Sequence, residues 1–518
     1  MKENVFSCVF PASLFFLTAA SSSCAAFIIP LHQKEGVNEA TRQYIATHAD
    51  DDVRKLALQG CRDGEVDMAM ALQQIQGRQT ARLKLPTWAA CEGILYPPHL
   101  NMEQCSSEQT ARYKARVLGG FCSGSSLGTS SSGSSLSGSS SAAVLGGFPA
   151  KKRLVDLTGG LGVDFSFMCR PFEEAVYVEQ QKALFAIAQK NFQFLFPPSD
   201  IPGTAGSQAT PVISCICADG VEYLHQLDYA SLIYLDPARR DGHGSRTYSI
   251  SDCTPNVLPL LDELLAKAER VMLKLSPMLD WRKAVSDVGQ KHVEQVHIVS
   301  VDNECKELLL VLSAEGCQDP QLVCVNNDTI EIFRLTPGRL TPGPSPRERG
   351  VYSSFADISS SKTNYSPLPG RGAGGESSGG ESSGGESSGG KSSGGESVEA
   401  SFLYEPNASL MKAGVFSELA RRYGVTPLAQ NSHLFTSEQL VDAFPGRVFR
   451  ISAVSSMNKQ ELRAKISPLQ QANISVRNFP LGVAELRKRL KLSEGGSNYL
   501  FATTLAGGKH VLIVCQRV

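Results

Sequence analysis

From residue 151 to 335 the chain alternates short apolar runs with longer stretches in which apolar residues recur every three or four positions. Short apolar runs between turn residues read as strands, and the stretches between them as amphipathic helices. Their alternation predicts a parallel α/β sheet. The expected strands are 153–157, 175–178, 212–217, 232–235, 271–275, 295–301 and 307–312. Residues 39–118 lack such runs and read as helical. Asp50-Asp51-Asp52 can cap a helix through Val53, Leu56 and Ala57, and Asp63 can cap another that runs to about Gln76, with Pro86 and Pro97-Pro98 as breaks. Residues 402–446 read as mainly helical, a small helical or ferredoxin-like linker domain. Residues 447–518 alternate again: a strand at 447–453, a helix at 459–466, a strand at 474–477, a helix at 483–490 and two closing strands.

Composition divides the pattern into domains. Residues 119–148 are mostly Ser and Gly, bracketed by a repeated VLGGF at 117–121 and 144–148. Residues 337–400 are Pro-rich and then carry a five-residue ESSGG repeat from Glu376 to Gly395. Such segments bury too little apolar surface to offset ordering entropy, so both are expected to be linkers. The expected divisions are 1–38, 39–118, 119–150, 151–335, 336–401, 402–446 and 447–518. Residues 6–29 are apolar and follow one basic residue, Lys2, as in a signal peptide, but Pro11 and the run 21–24 make a poor membrane span. The segment reads as a non-native or mis-started extension of a cytoplasmic protein without stable membrane association.

The 14 cysteines of the 518 residues are scattered, with no C-x-x-C. Cys215 and Cys217, two apart on an expected strand, would share a face, but no second Cys or His pair at ligand spacing accompanies them. Buried free thiols are expected, and no metal.

The chemistry gathers at expected strand ends. Asp156-Leu157-Thr158-Gly159-Gly160-Leu161-Gly162 carries an apolar strand into a glycine-rich turn, where the backbone can approach a ligand closely. Glu179 ends the second strand, 23 residues after Asp156, where an acidic side chain can accept ribose hydroxyls. Asp219 follows the third strand and Asp236 the fourth, within Leu235-Asp236-Pro237-Ala238-Arg239-Arg240. All would meet at the carboxyl edge of one parallel sheet, where open α/β folds bind ligands. The G-x-G-x-x-G spacing of NAD-linked dehydrogenases is not matched.

DLTGGLGVD (156–164), YVEQ (177–180), CADG (217–220) and YLDPARRD (234–241) resemble successive motifs of class I S-adenosylmethionine-dependent methyltransferases. With MALQQIQGRQ, EGILYPPHLNMEQCSSEQTARYKA, KLSPMLD and YEPNASLMKAG, the ordered parts from about Ala40 resemble the THUMP-like-domain methyltransferases of the Bacteroidetes type. The resemblance implies a Rossmann-like catalytic domain preceded by a helical region and followed by a small α+β THUMP-like domain, with S-adenosylmethionine as cofactor. It implies that Asp156, Gly160 and Gly162, with Thr158 and Gly159 of the same turn, shape the methionine pocket, that Glu179 holds the ribose, and that Asp219 lies beside the adenine.

Asp236 and Pro237 form the expected catalytic loop. Methyl transfer is an in-line displacement, so alignment matters more than acid–base power. A carboxylate placed against the N–H groups of a base amine would localise its lone pair. Asp-Pro-Ala-Arg lacks the second proline and the aromatic that amine methyltransferases often carry there, and the Asp-Pro-x-x form is also similar to a 16S ribosomal RNA guanine-N2 methyltransferase family. Arg239, Arg240 and Arg246 could hold substrate phosphates, and Lys274 borders the same cleft.

Residues 447–518 contain 12 Lys and Arg against 3 Glu and no Asp, in a chain whose net charge is -1. Arg487, Lys488, Arg489 and Lys491 cluster on one expected helix. A domain-wide imbalance of this kind is an electrostatic footprint for phosphate backbones. The THUMP-like resemblance implies structured RNA, tRNA or rRNA. The readings left open are a methyltransferase acting on a guanine or adenine amine of RNA, one acting on DNA, and a non-catalytic RNA-binding protein that keeps the fold.

Overall fold

In the computed structural model, residues 37–61, 63–123, 152–197, 211–239, 249–335, 401–429 and 431–518 are described. The chain divides into two compact units, one up to Gln79 and one from Thr80 to Val518.

The first unit contains helices Glu39–Thr47 and Val53–Gln59 and most of Met68–Lys84. Asp52 caps the second helix as expected, accepting from the N–H groups of Arg54 and Lys55. The third helix departs from expectation at both ends. Asp67, not Asp63, accepts the Met70 N–H at 3.0 Å, while Asp63 closes a turn onto Glu65. The helix then runs past Gln76 to Lys84, because the next residue unable to continue it is Pro86.

The second unit holds the α/β sheet. Its strands are β1 (Arg153–Asp156), β2 (Glu174–Val178), β3 (Val212–Ile216), β4 (Ala230–Leu235), the short pair β5 (Ala238–Arg239) and β6 (Cys253–Thr254), then β7 (Ala268–Leu275), β8 (Val293–Val301), β9 (Glu304–Leu312), β10 (Gln321–Asn326) and β11 (Thr329–Arg334). The main sheet has the order β11-β10-β8-β9-β7-β4-β1-β2-β3, with β9 antiparallel between β7 and β8. Alternate residues feed two apolar layers: Val155, Val176, Ile233 and Val271 on one face, and Leu154, Tyr177, Leu232 and Met272 on the other. Burial on both faces produces continuous apolar runs in the sequence. From β1 the chain moves outward through β2 to β3, then returns to place β4 on the other side of β1. That reversal opens a crevice at the carboxyl ends of β1 and β4. Helix Glu108–Ser123 packs on the sheet through Tyr113, Val117 and Leu118, and runs beyond the linker boundary expected at 119.

Residues 402–446 are not mainly helical. They supply β12 (Phe402–Pro406), β13 (Thr426–Pro427) and β14 (Phe435–Ser437) beside helices Ala408–Ala413 and Phe416–Tyr423. Every residue of β12 is buried, so it shows none of the alternation that marks a half-exposed strand. These strands join β15 (Gly446–Ser456), β16 (Asn473–Arg477), β17 (Asn498–Thr504) and β18 (His510–Arg517) in one sheet ordered β13-β14-β12-β15-β18-β17-β16. The two C-terminal segments are therefore joined through the β12–β15 pairing. They dock on the nine-stranded sheet and its helices: Trp281 Nε1 and Arg282 donate to the Ala413 carbonyl at 3.3 and 2.9 Å, Lys412 donates to Leu279 O at 2.7 Å, and Arg422 pairs with Glu331 at 2.5 Å. One apolar cluster runs from Val155 through Trp281 to Tyr404 and Phe435.

Cys61, Cys91, Cys105, Cys169, Cys215, Cys217, Cys253, Cys305, Cys317, Cys324 and Cys515 are free. Cys169, Cys253, Cys324 and Cys515 are buried, but Cys217 is exposed and lies beyond the end of β3, so it does not share that strand with Cys215. Among the described residues no helix is long and apolar enough to cross a membrane.

Candidate active site

A cleft of about 480 Å³ occupies the crevice between β1 and β4, within the usual size of small-molecule sites. Asp156, Thr158, Gly159, Gly160, Gly162, Glu179, Asp219, Asp236 and Pro237 all line it, so the structure gathers these nine residues from four strand ends.

Each is held by local backbone demand. Asp156 is 1% exposed and accepts the Thr158 N–H at 3.0 Å. Burial pushes its carboxyl well above the usual range, and the charges of Asp164, Asp236 and Glu179 push the same way. Gly160 has φ +56, and a Cβ built there meets nothing nearer than Thr158 O at 3.8 Å, so its open side faces the cleft. At Gly159 and Gly162 a Cβ would collide with the rings of Tyr177 and Phe192, so those glycines let the turn lie on the aromatic core. Glu179 accepts the Gly160 N–H at 2.8 Å on one oxygen and the Gln181 N–H at 2.7 Å on the other. Each oxygen retains a lone pair for a further donor. Asp219 caps helix Gly220–Gln226, its Oδ1 accepting from Val221 at 2.7 Å and Glu222 at 3.2 Å. The Thr158 hydroxyl accepts the Asp236 N–H at 2.6 Å and so ties the glycine turn to the loop that carries Asp236 and Pro237.

Asp236 has a partner whose role the sequence left open. Lys274, at the end of β7, donates to its Oδ2 at 2.5 Å, while among the described residues Oδ1 takes no hydrogen bond. Burial disfavours the Lys274 ammonium, but Asp236, Asp164 and Glu307 together hold its pKa well above the ordinary value.

Behind this pair lies a buried group that sequence reasoning missed. Lys114, from helix Glu108–Ser123, is fully buried and donates to both oxygens of Glu307 at 2.7 and 2.8 Å, with Asp164 Oδ1 at 3.1 Å. Asp164 Oδ2 accepts from Ser106 and Tyr234, each at 2.7 Å. Burial raises the Asp164 carboxyl, but Lys114, Lys274 and these hydroxyls outweigh it, and the net shift is downward. At Glu307 burial wins and the shift is upward. One signal was available: Thr110, Lys114 and Leu118 recur at four-residue spacing on the buried face of the helix, where a lysine is out of place.

The expected substrate arginines fare differently. Arg239 lies on β5, whereas Arg240 and Arg246 fall outside the described residues. On helix Val483–Leu490, Lys488 and Arg489 are exposed, as is Lys491 just after it. Arg487 is half-buried and donates to the Ala472 carbonyl at 3.1 Å. Arg477, counted with this basic group by sequence, pairs with buried Glu405 at 2.7 Å. Among the described residues no group of His, Cys, Asp and Glu is arranged to hold a metal.

Residues 446–517 match the family model of a THUMP-like domain, and residues 402–445 that of a ferredoxin-like domain. A crystal structure from Porphyromonas gingivalis W83, described as a "putative methyltransferase", is 27% identical over 92% of this chain and 98% of its own, with a TM-score of 0.65. A SAM-dependent methyltransferase from Agrobacterium tumefaciens is 18% identical over 32% of this chain and 56% of its own, at a TM-score of 0.22. TrmK of M. capricolum, bound to S-adenosyl-homocysteine, is 10% identical over 32% of this chain and 64% of its own, at 0.23. No curated protein matches the chain.

Proposed function

We propose that the chain is a class I methyltransferase of the THUMP-like-domain kind, which transfers the methyl group of S-adenosylmethionine to an exocyclic amine of guanine or adenine in tRNA or rRNA. The observation that carries the reading is Asp236, at a strand end in the cleft, with one carboxylate oxygen fixed by Lys274 and the other free of protein partners among the described residues.

The donor set fits the cofactor. Gly160 leaves open space where a side chain would stand, Glu179 keeps acceptor capacity for two ribose hydroxyls, and Asp219 stands across the cleft for the adenine. Bound there, S-adenosylmethionine would supply an electrophilic methyl on a sulfonium. Asp236 Oδ1 would accept an N–H hydrogen bond from the target amine and turn its lone pair toward that methyl. The proton that the methylated amine must shed would pass to solvent. Exposed Lys488, Arg489 and Lys491 would add a grip on phosphates.

A second reading, a ribose hydroxyl as acceptor, is favoured by the free Asp236 Oδ1, because a carboxylate oxygen can accept an O–H hydrogen bond as readily as an N–H. The test is labelled methyl transfer into bulk tRNA and rRNA from a deletion strain, followed by nucleoside mass spectrometry. A base-methylated purine supports the main reading and a ribose-methylated nucleoside the second. Labelling of duplex DNA but not RNA would sink both, and absence of S-adenosyl-homocysteine binding by calorimetry would leave a non-catalytic RNA-binding protein.

A further inference from the structure

Five charged side chains, Asp236, Lys274, Glu307, Asp164 and Lys114, lie together from the acceptor end of the cleft to the helix packed behind the sheet. Four carboxyl groups (Asp156, Asp164, Asp236 and Glu307) are drawn to this edge by the strand ends and the first helix after β1. Two ammonium groups stand among them. Lys274 pairs with Leu309 across the β7–β9 ladder, which puts Glu307, two residues away on β9, on the same face of the sheet. The Lys274 side chain is 13% exposed against 37% for Asp236, so the cation sits on the protein side of the carboxylate it holds.

Buried ion pairs are weak evidence for stability, since apolar residues of similar volume often do as well. Their strength is geometric: a short contact to Oδ2 fixes the rotation of a carboxylate whose other oxygen takes no hydrogen bond among the described residues. Without that cation, no side chain among the described residues would hold Asp236 Oδ2, and the carboxylate could rotate.

Resting on the reading of Asp236 above, we propose that Lys274 is the positioning residue of the methyl transfer, aiming Asp236 Oδ1 at the acceptor. Lys114 anchors the device by neutralising the Glu307–Asp164 pair behind it. Helix Glu108–Ser123, outside the sheet, is on this account part of the catalytic apparatus.

The experiment is a mutant cycle on the full chain with Lys274→Met, Asp236→Asn and the double variant, beside Lys274→Arg. Single-turnover labelling of bulk RNA from a deletion strain is read with S-adenosyl-homocysteine affinity and melting temperature. Lys274→Met is expected to slow the chemical step on the order of 100-fold, the usual cost of misplacing a reacting group by an ångström, with S-adenosyl-homocysteine affinity within about threefold. Lys274→Arg should recover to within about tenfold of the native rate, because a guanidinium can pin the same oxygen. The double variant should be no slower than Asp236→Asn alone, since Lys274 acts only through Asp236. Multiplying losses in the double variant, a native rate in Lys274→Met, or equal loss with arginine would each overturn the proposal while leaving Asp236 in place. A native rate in Asp236→Asn would instead overturn the underlying reading. If Lys274→Met does not fold, Lys274→Gln takes its place in the cycle, being polar but uncharged, with the same outcomes deciding.

Discussion

Replacing Lys114 with methionine removes one cation and leaves Glu307 and Asp164 buried beside each other, their side chains 3% and 8% exposed. Lys114 itself is fully buried, so solvent screening offers no discount. Breaking a buried pair from one side costs about 3–5 kcal/mol, a large share of the roughly 5–15 kcal/mol by which a domain is stable. The sign with pH follows from the shifts. In the native protein the Asp164 carboxyl is depressed, so its contribution is present above its unfolded pKa and is lost as pH falls through the folded value. Glu307 is raised, so its contribution runs the other way and is lost as pH rises. Without Lys114 both carboxyls should sit above their unfolded values of about 4, so the variant should be penalised increasingly as pH rises above that point. The stability gap should therefore be widest near neutrality and narrow toward about pH 4. Urea unfolding followed by the fluorescence of Trp88 and Trp281, both buried in this unit, measures it. Adding Glu307→Gln to Lys114→Met should return part of the loss. A loss under about 1 kcal/mol at pH 7, or a gap that does not close on acidification, would refute the charge argument.

Gly160→Val should abolish S-adenosyl-homocysteine binding, because the new side chain meets nothing nearer than Thr158 O and projects into the cleft, while the positive φ there also costs stability; calorimetry on the folded variant with unchanged affinity would refute the placement. Replacing residues 337–400 with a short Gly-Ser linker should leave melting temperature and methyl transfer unchanged, and a large fall would show that the segment has structure to lose. Removal of the first Ser/Gly segment should begin after Ser123, since helix Glu108–Ser123 runs to that residue. Changing Lys488, Arg489 and Lys491 to Ala should weaken RNA binding and flatten its salt dependence by roughly 0.7 in log–log slope for each single-strand phosphate that is no longer neutralised. Filter binding with bulk tRNA across a salt series tests it, and an unchanged slope returns these residues to a solvated face.

The sheet was legible because strands buried on both faces leave unbroken apolar runs, and because glycine and acidic residues at their ends mark the crevice directly. Asp156, Glu179, Asp219 and Asp236 each follow a strand, so their convergence was a matter of topology. The capping of Asp219 and the tie from Thr158 to Asp236 were hidden, since both depend on local turns that spacing does not reveal. The buried charges were hidden more deeply: Lys114 meets Glu307 across 193 residues, and nothing periodic links them. β12 escaped because a fully buried five-residue strand beside two helices has no alternation to read. Arg487 and Arg477 show the limit of counting charge, since their guanidinium groups bond protein oxygens.

The joined C-terminal sheet and its apolar seam with the catalytic sheet have a metric consequence. Trp281, Arg282 and Lys412 fasten helix Ala408–Ala413 to the catalytic side, Arg422 fastens helix Phe416–Tyr423 to β11, and β12 passes the constraint into β15 and the strands beyond. No hinge of loose chain intervenes between 401 and 429 among the described residues. The offset between basic helix Val483–Leu490 and the cleft is thus a property of the fold, as the gap of a caliper is set by its frame. If the substrate is RNA, as proposed, an RNA held at one jaw would present to the other only nucleotides at one contour distance. Selection would then be by length along a folded RNA, which needs no base-reading contacts in the C-terminal domain.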